Sequence, residues 1–101
     1  MIYILSTCTA VLGKETEFEN TLTELASIYE KYGAKTVGAW WTLGGEGNEA
    51  VWIHSWKDLN AYEKGQANAR KDENYPIEKL SALIITYTDK ILKPLPSSPM
   101  K

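Results

Sequence analysis

The sequence predicts an α+β domain in which a four-stranded antiparallel sheet carries its helices on one face. Four segments are rich in β-branched and aromatic residues with alternating polarity, and the segments between them repeat apolar residues at helical steps. Their order is strand, helix, strand, strand, helix, strand, which is the split β-α-β arrangement. A chain of 101 residues has the length of one domain, so we expect a single domain over 1–101 with a tail over 94–101.

The chain begins with a strand followed by an amphipathic helix. The strand, Ile2–Thr9, ends before Gly13. From Lys14 to Tyr32 apolar side chains recur every three or four residues, and acidic residues crowd the first turns, as the helix dipole favours. Gly33 then ends the helix.

The middle of the chain is predicted to be a β-hairpin. Lys35–Leu43 and Glu49–Trp56 are enriched in Val, Ile, Trp and Thr. The loop between them, 44–48, contains three glycines, which permit positive φ angles. It follows no strand-to-helix phosphate-binding pattern, so we interpret it as a turn.

The last third completes the fold. Asp58 can cap a second helix, which Gly65 weakens, and Pro76 suits the start of a short separate helix. Ile84–Leu92 alternates like a strand. The prolines of the 94–101 tail prevent further regular pairing.

Composition excludes several classes of partner. The formal net charge is -2, and 11 Lys and Arg are scattered among 13 Asp and Glu, so no basic stripe could neutralise a nucleic acid backbone. The apolar runs are far shorter than the roughly 20 residues that cross a bilayer. One cysteine and one histidine cannot supply a familiar zinc site. We therefore expect a cytoplasmic protein with no nucleic acid or membrane partner, no metal and no cofactor.

Four Trp and six Tyr against one Phe favour a half-polar pocket or an interface, because Trp and Tyr carry a polar tip. On the third strand Trp52, His54 and Trp56 share one face. We expect the alternate residues, Val51, Ile53 and Ser55, to pack against the helices, and the Trp-His-Trp face to line a cavity on the other side of the sheet.

Alternation in the other strands adds further candidates to this face. The predicted ligand-contacting residues are Ser6, Cys8, Trp40, Thr42, Trp52, Trp56, Thr86 and Thr88. For the Trp residues, stacking on a ligand competes with packing in a dimer core.

His54 is the candidate catalytic residue, because an ordinary pKa near 6.5 suits proton transfer at neutral pH. The alternative is a core imidazole bonded to a neighbouring hydroxyl, which the lack of an orienting Asp or Glu at fixed spacing favours. A nucleophilic pair of Cys8 with His54 competes with an inert buried thiol.

The sheet face without helices needs a cover. Monomers rarely expose a large apolar patch, and pairing with a second copy is the simplest cover. We therefore predict a homodimer.

Several short motifs, taken in order and spacing, resemble the NIPSNAP family across nearly the whole chain. They are Met1-Ile2-Tyr3, Gly13-Lys14 with Glu17-Phe18, Gly33-Ala34-Lys35-Thr36-Val37-Gly38, and Leu92-Lys93-Pro94-Leu95-Pro96-Ser97-Ser98-Pro99.

The resemblance implies a ferredoxin-like protomer that packs sheet to sheet with its twin as a dimeric α/β barrel, with a cavity in each half. The wider superfamily includes cofactor-independent oxygenases, lactone isomerases, haem-degrading enzymes and stress-response proteins, and fold alone does not choose among them. The family tends to place its histidine two positions away from His54 on this strand, so a role of that histidine does not transfer.

Two functional hypotheses follow. The first is a protein that binds a small apolar or aromatic molecule in a Trp-lined cavity, with cofactor-independent oxygenase or isomerase chemistry through His54. The second is a non-catalytic dimeric interaction or stress-response module whose tail, 94–101, contacts the partner subunit. Haem binding through His54 is a third, weaker hypothesis.

Overall fold

The computed structural model describes residues 1–44 and 47–100 and confirms the predicted fold class. The elements are β1 (Ile2–Ala10), α1 (Glu15–Lys31), β2 (Lys35–Trp41), β3 (Glu49–Trp56), α2 (Leu59–Arg70), α3 (Ile77–Leu83) and β4 (Ile84–Leu92). The strands form one antiparallel sheet in the order β2-β3-β1-β4. This is the ferredoxin-like arrangement, with α3 added between α2 and the last strand.

The predicted turn over 44–48 is only partly described, because Gly45 and Glu46 lie outside the described residues, as does Lys101 at the end of the predicted tail. Gly44 has a φ of 88° and Asn48 a φ of 58°, so both flanks of the turn adopt left-handed backbone. Asn48 also donates through Nδ2 to the Ala10 carbonyl and to Glu15 Oε2, which ties the hairpin to the start of α1.

The register decides which side chains share a face. Between β1 and β3, Ile4 lies directly opposite His54, and Ser6 lies directly opposite Trp52. Opposite residues of antiparallel neighbours project to the same side of a sheet. The face that carries His54 therefore also carries the even-numbered residues of β1, and Ser6 lies opposite Asp89 of β4 on that same face.

The prediction that Trp52, His54 and Trp56 point away from the helices is wrong. These residues are 6%, 2% and 1% exposed and form the core between the sheet and the helices. The alternate residues 51, 53 and 55 occupy the other face, which we call the open face.

Small residues on the helix side make room for these aromatic rings. A methyl group at Gly65 of α2 would lie 2.6 Å from Trp56 Cη2 and 2.8 Å from the Tyr32 carbonyl oxygen. Gly33, whose φ of 116° ends α1, also borders the Trp56 ring. The sequence prediction took small strand residues as the partners of the helices, whereas here small helix residues accept large strand side chains.

The open face carries half-exposed apolar side chains. Leu5, Val51 and Ile53 are partly buried, and Trp40 is 53% exposed. The Trp40 ring lies over Gly38, two residues earlier on the same face, so that a side chain at Gly38 would collide with it.

Hydrogen bonds fix the ends of the helical layer. As predicted, Asp58 caps α2, and its Oδ1 accepts from the Ala61 amide at 2.8 Å. Between α2 and α3, Asp72 accepts from Lys31 Nζ at 2.9 Å and from the Tyr32 hydroxyl at 2.7 Å. Among the described residues, no helix is long and apolar enough to span a bilayer.

Candidate functional site

A cavity of about 630 Å³ lies between the sheet and the helices. Its floor is the helix-facing side of β1, β3 and β4, and its walls come from α1, α2 and α3. Its position corrects the sequence prediction, which placed the cavity on the opposite side of the sheet.

The cavity exists because small residues alternate with large ones on this face. On β1 the helix-facing side chains at the cavity are Ser6 and Cys8, and the β3 residue opposite Cys8 is Ala50. These side chains supply little volume, whereas Trp52 and His54 further along β3 fill the space up to the helices. A gap therefore remains above β1 with an aromatic wall on one side.

That wall is a contiguous aromatic cluster. Tyr29 of α1 stacks on Trp52 with ring centroids 5.3 Å apart and meets His54 edge-on at 5.4 Å. The rings of Trp52 and His54 are 4.4 Å apart. Such ring pairs are specific and contribute beyond their buried area, so the orientation of His54 is strongly constrained.

A buried hydrogen bond fixes the protonation of His54. Trp56 Nε1 donates to His54 Nδ1 at 2.7 Å. An indole N–H only donates, so Nδ1 must be the unprotonated nitrogen, and a neutral imidazole then carries its proton on Nε2. Burial lowers the pKa of His54 from 6.5 to about 4, which keeps the ring neutral at physiological pH.

Trp52 presents a second N–H group. Its Nε1 is buried and finds no hydrogen-bond partner among the residues that the structure describes. The other two core-facing indoles are satisfied, Trp56 by His54 and Trp41 by Glu19. A buried donor without an acceptor costs about 1–3 kcal/mol, so this N–H group lowers the stability of the folded core.

The remaining interior groups are neutral. Burial, assisted by the carboxylates of Asp89 and Glu49, raises the pKa of Cys8 to about 11. Burial also raises the pKa of Tyr29 and Tyr62. These groups keep their protons at pH 7.

Charged groups lie at the rim of the cavity. Arg70 of α2 and Asp89 of β4 both line it and are exposed. No group of His, Cys, Asp and Glu within 1–44 and 47–100 could hold a metal ion. The cavity therefore has a neutral interior and a charged rim.

The structure divides the predicted site residues between the two faces of the sheet. Ser6, Cys8, Trp52 and His54 line the cavity together. Trp56 lies in the core beside His54 and does not border the cavity.

The other four predicted contacts lie apart from this cavity. Thr86 and Thr88 are on the open face, opposite Thr9 and Thr7. Thr42 bonds to Glu49 beyond the end of β2. Trp40, on the open face, borders a separate groove of about 430 Å³ at the β2 edge. For Thr86 and Thr88 the physical reason is the register between β1 and β4, which places even-numbered residues of β1 opposite odd-numbered residues of β4. For Trp40 it is the register between β2 and β3, which places Trp40 opposite Val51.

Sequence reasoning missed the contributions of the helices to the cavity. Tyr29, Tyr62, Gln66 and Arg70 line it from α1 and α2. The helical spacing of Tyr29 in α1, and of Tyr62 and Gln66 in α2, places them on the sides of the helices that face the sheet. Recognising those sides as a cavity wall required knowing which face of β3 the helices cover.

The NIPSNAP family model matches residues 3–99. Protein Atu4242 from Agrobacterium tumefaciens is 23% identical, with a TM-score of 0.88 over 100% of both chains. A NIPSNAP domain protein from Burkholderia xenovorans is 19% identical, with a TM-score of 0.85 over 98% of this chain and 99% of its own.

A more distant likeness is to SnoaB, a cofactor-independent oxygenase from Streptomyces nogalater, at 19% identity and a TM-score of 0.71 over 97% of this chain and 96% of that one. At these identities the structures support a common fold and no shared activity. None of the curated proteins matches the chain. The family model, however, spans almost every residue from the first strand to the tail, and the resemblance seen in the sequence is confirmed: the chain belongs to the NIPSNAP family.

Proposed function

We propose that this protein binds a small, mainly apolar molecule in the cavity between the sheet and the helices. The observation that carries the proposal is the cavity itself, whose volume of about 630 Å³ lies within the range of roughly 300–1,000 Å³ found for small-molecule sites. Its aromatic wall, together with a few inward polar groups, is typical of such sites.

The electrostatics of the interior support an uncharged ligand body. Cys8, Tyr29, Tyr62 and His54 are all neutral at pH 7, so no fixed charge inside the cavity would repay the desolvation of a charged ligand. Charged substituents fit at the rim.

Binding is better supported than catalysis by His54. Oxygenase or isomerase chemistry of the kind suggested by the sequence needs a group that removes a proton from the substrate. In neutral His54 the nitrogen that could take up a proton is Nδ1, and its lone pair already accepts a hydrogen bond from Trp56 Nε1. Haem ligation fits no better, because ligating histidines use an unprotonated nitrogen and donate through the other one.

Native mass spectrometry of freshly purified protein tests the proposal. We expect the folded protein to carry a small molecule, or to take one up from a library of planar aromatic compounds. The variant Ser6→Leu fills the cavity from its floor and should abolish uptake.

The matched control is Thr7→Leu, which introduces the same side chain one residue along β1 on the open face. It should leave uptake unchanged. Equal uptake by wild type and Ser6→Leu would contradict binding in this cavity.

A second proposal concerns assembly. We infer that the open face is the contact surface of a homodimer, because Leu5, Val51 and Ile53 lie there beside the half-exposed Trp40. A dimer would bury this face in the way a β-sandwich does. This contact also suits the alternative function, a non-catalytic interaction module.

Light scattering at micromolar concentration tests the dimer. We expect twice the monomer mass for wild type and a shift toward monomer for Trp40→Glu, which places a charge in the contact. Thr23→Glu on α1 is the control. A wild-type protein that is monomeric throughout would contradict the inference.

A further inference from the structure

We propose that the ligand presents a carbonyl oxygen as an acceptor to the Nε2–H group of His54, beside the Trp52 ring. This inference rests on the proposed function and names the chemical class of ligand for the same cavity.

The first step is the direction in which His54 can bond. The Nδ1 atom of His54 faces Trp56, and Trp56 does not border the cavity. The His54 ring itself borders the cavity. The polar atom left for the cavity is Nε2, which carries the proton in this tautomer. His54 is therefore a donor toward any ligand.

The second step is the neighbouring indole. Trp52 also lines the cavity, its ring is 4.4 Å from His54, and its Nε1–H is buried without a partner among the described residues. An indole N–H cannot accept a hydrogen bond. Trp52 thus adds aromatic surface beside the His54 donor and offers no acceptor.

The third step is which ligands this donor disfavours. A ligand whose only polar group is an ammonium or another pure donor would meet a donor in a low-dielectric site and lose its own hydration. A hydrocarbon would leave the His54 N–H group without an acceptor. A planar ketone or quinone accepts from His54 and rests its ring on the aromatic wall.

A matched pair of compounds tests this inference by equilibrium dialysis. The probes are 9-fluorenone and fluorene, which have the same ring system. Fluorenone has a carbonyl group where fluorene has a methylene group. Fluorene is the more hydrophobic, so apolar burial alone predicts that it binds more tightly. We expect fluorenone to bind wild type about tenfold more tightly, since one buried hydrogen bond is gained.

Two variants identify the donor. His54→Phe should reduce the preference for fluorenone while retaining fluorene, whereas Trp52→Phe should keep the preference because the Trp52 N–H is buried away from the cavity surface. Because His54→Phe also leaves Trp56 without an acceptor, a second measurement uses wild type alone. The chain has one histidine, so its imidazole ¹⁵N signals need no further assignment. Free protein should show a protonated Nε2, and fluorenone should shift that signal.

The outcomes separate the two proposals. Equal affinity for both probes, or a proton on Nδ1, would overturn the acceptor inference and leave small-molecule binding intact. Failure of both compounds to bind would count against the proposed function, and the inference would fall with it.

Discussion

The burial of His54 predicts a loss of stability on mild acidification. The pKa of this ring is about 4 in the folded protein against 6.5 in an unfolded chain. Between pH 6.5 and pH 4 the imidazole is protonated in the unfolded state and neutral in the folded state, so the free energy of unfolding falls as pH falls. Linkage between pH 7 and pH 5 gives a loss of roughly 2 kcal/mol from this one group.

The range from pH 7 to pH 5 separates the titration of His54 from that of the carboxylates. The pKa of Asp72 is lowered to about 2 and that of Glu15 is also lowered. Such carboxylates stay ionised above pH 5 in both the folded and the unfolded state, so they add little to the pH dependence of the free energy of unfolding there. The other ionisable groups around the cavity are Cys8, Arg70, Asp89 and the tyrosines at 29, 62, 75 and 87.

The assay is urea unfolding, followed by circular dichroism at one fixed protein concentration. With a slope of about 1.5 kcal/mol per molar urea, the wild-type midpoint should fall by more than ~1 M between pH 7 and pH 5. His54→Gln keeps an oxygen that can accept from Trp56 and does not titrate. Its midpoint should change much less, and parallel losses in the two proteins would refute the reasoning.

Three further predictions concern packing, reactivity and a surface network. Gly65→Ala should destabilise the fold by about 1–3 kcal/mol, because the new methyl group meets the Trp56 ring and a backbone carbonyl; thermal melting measures this against Gly47→Ala, which meets nothing within 4 Å. Cys8 should react with iodoacetamide at pH 8 about 100-fold more slowly in the folded protein than in denaturing urea, because burial raises its pKa from 9.0 to about 11; equal rates by mass spectrometry would contradict a buried thiol. Asp72→Asn should lower the urea midpoint at pH 7 and have little effect near pH 2, since the lowered pKa of Asp72 gives stability that disappears as pH falls from 3.8 to about 2; an equal loss at both values would show that charge is not the cause.

The elements were predictable from sequence because their signals are local. Alternation defines β3 over Glu49–Trp56 as the structure has it. A polar cap at Asp58 marks the start of α2. Both signals depend only on neighbouring residues.

The face of β3 was not predictable in the same way. Alternation shows that Trp52, His54 and Trp56 lie together, but not which side of the sheet the helices cover. That choice depends on the volume that distant elements offer. The useful signal was Gly65, interpreted in the sequence as a weakness of α2 and found in the structure as the contact surface for Trp56.

The cavity is lined by two sets of residues that differ in how deeply they are buried in the fold. Trp52 and His54 on its wall are core residues, so we expect their replacement to cost stability. Ile77, Ile85 and Tyr87 at its rim are 59%, 64% and 61% exposed, so their replacement should cost little stability. Under the proposed binding function, we expect relatives to differ in ligand preference through substitutions at α3 and β4 while the wall stays fixed, so that the rim is where specificity diversifies.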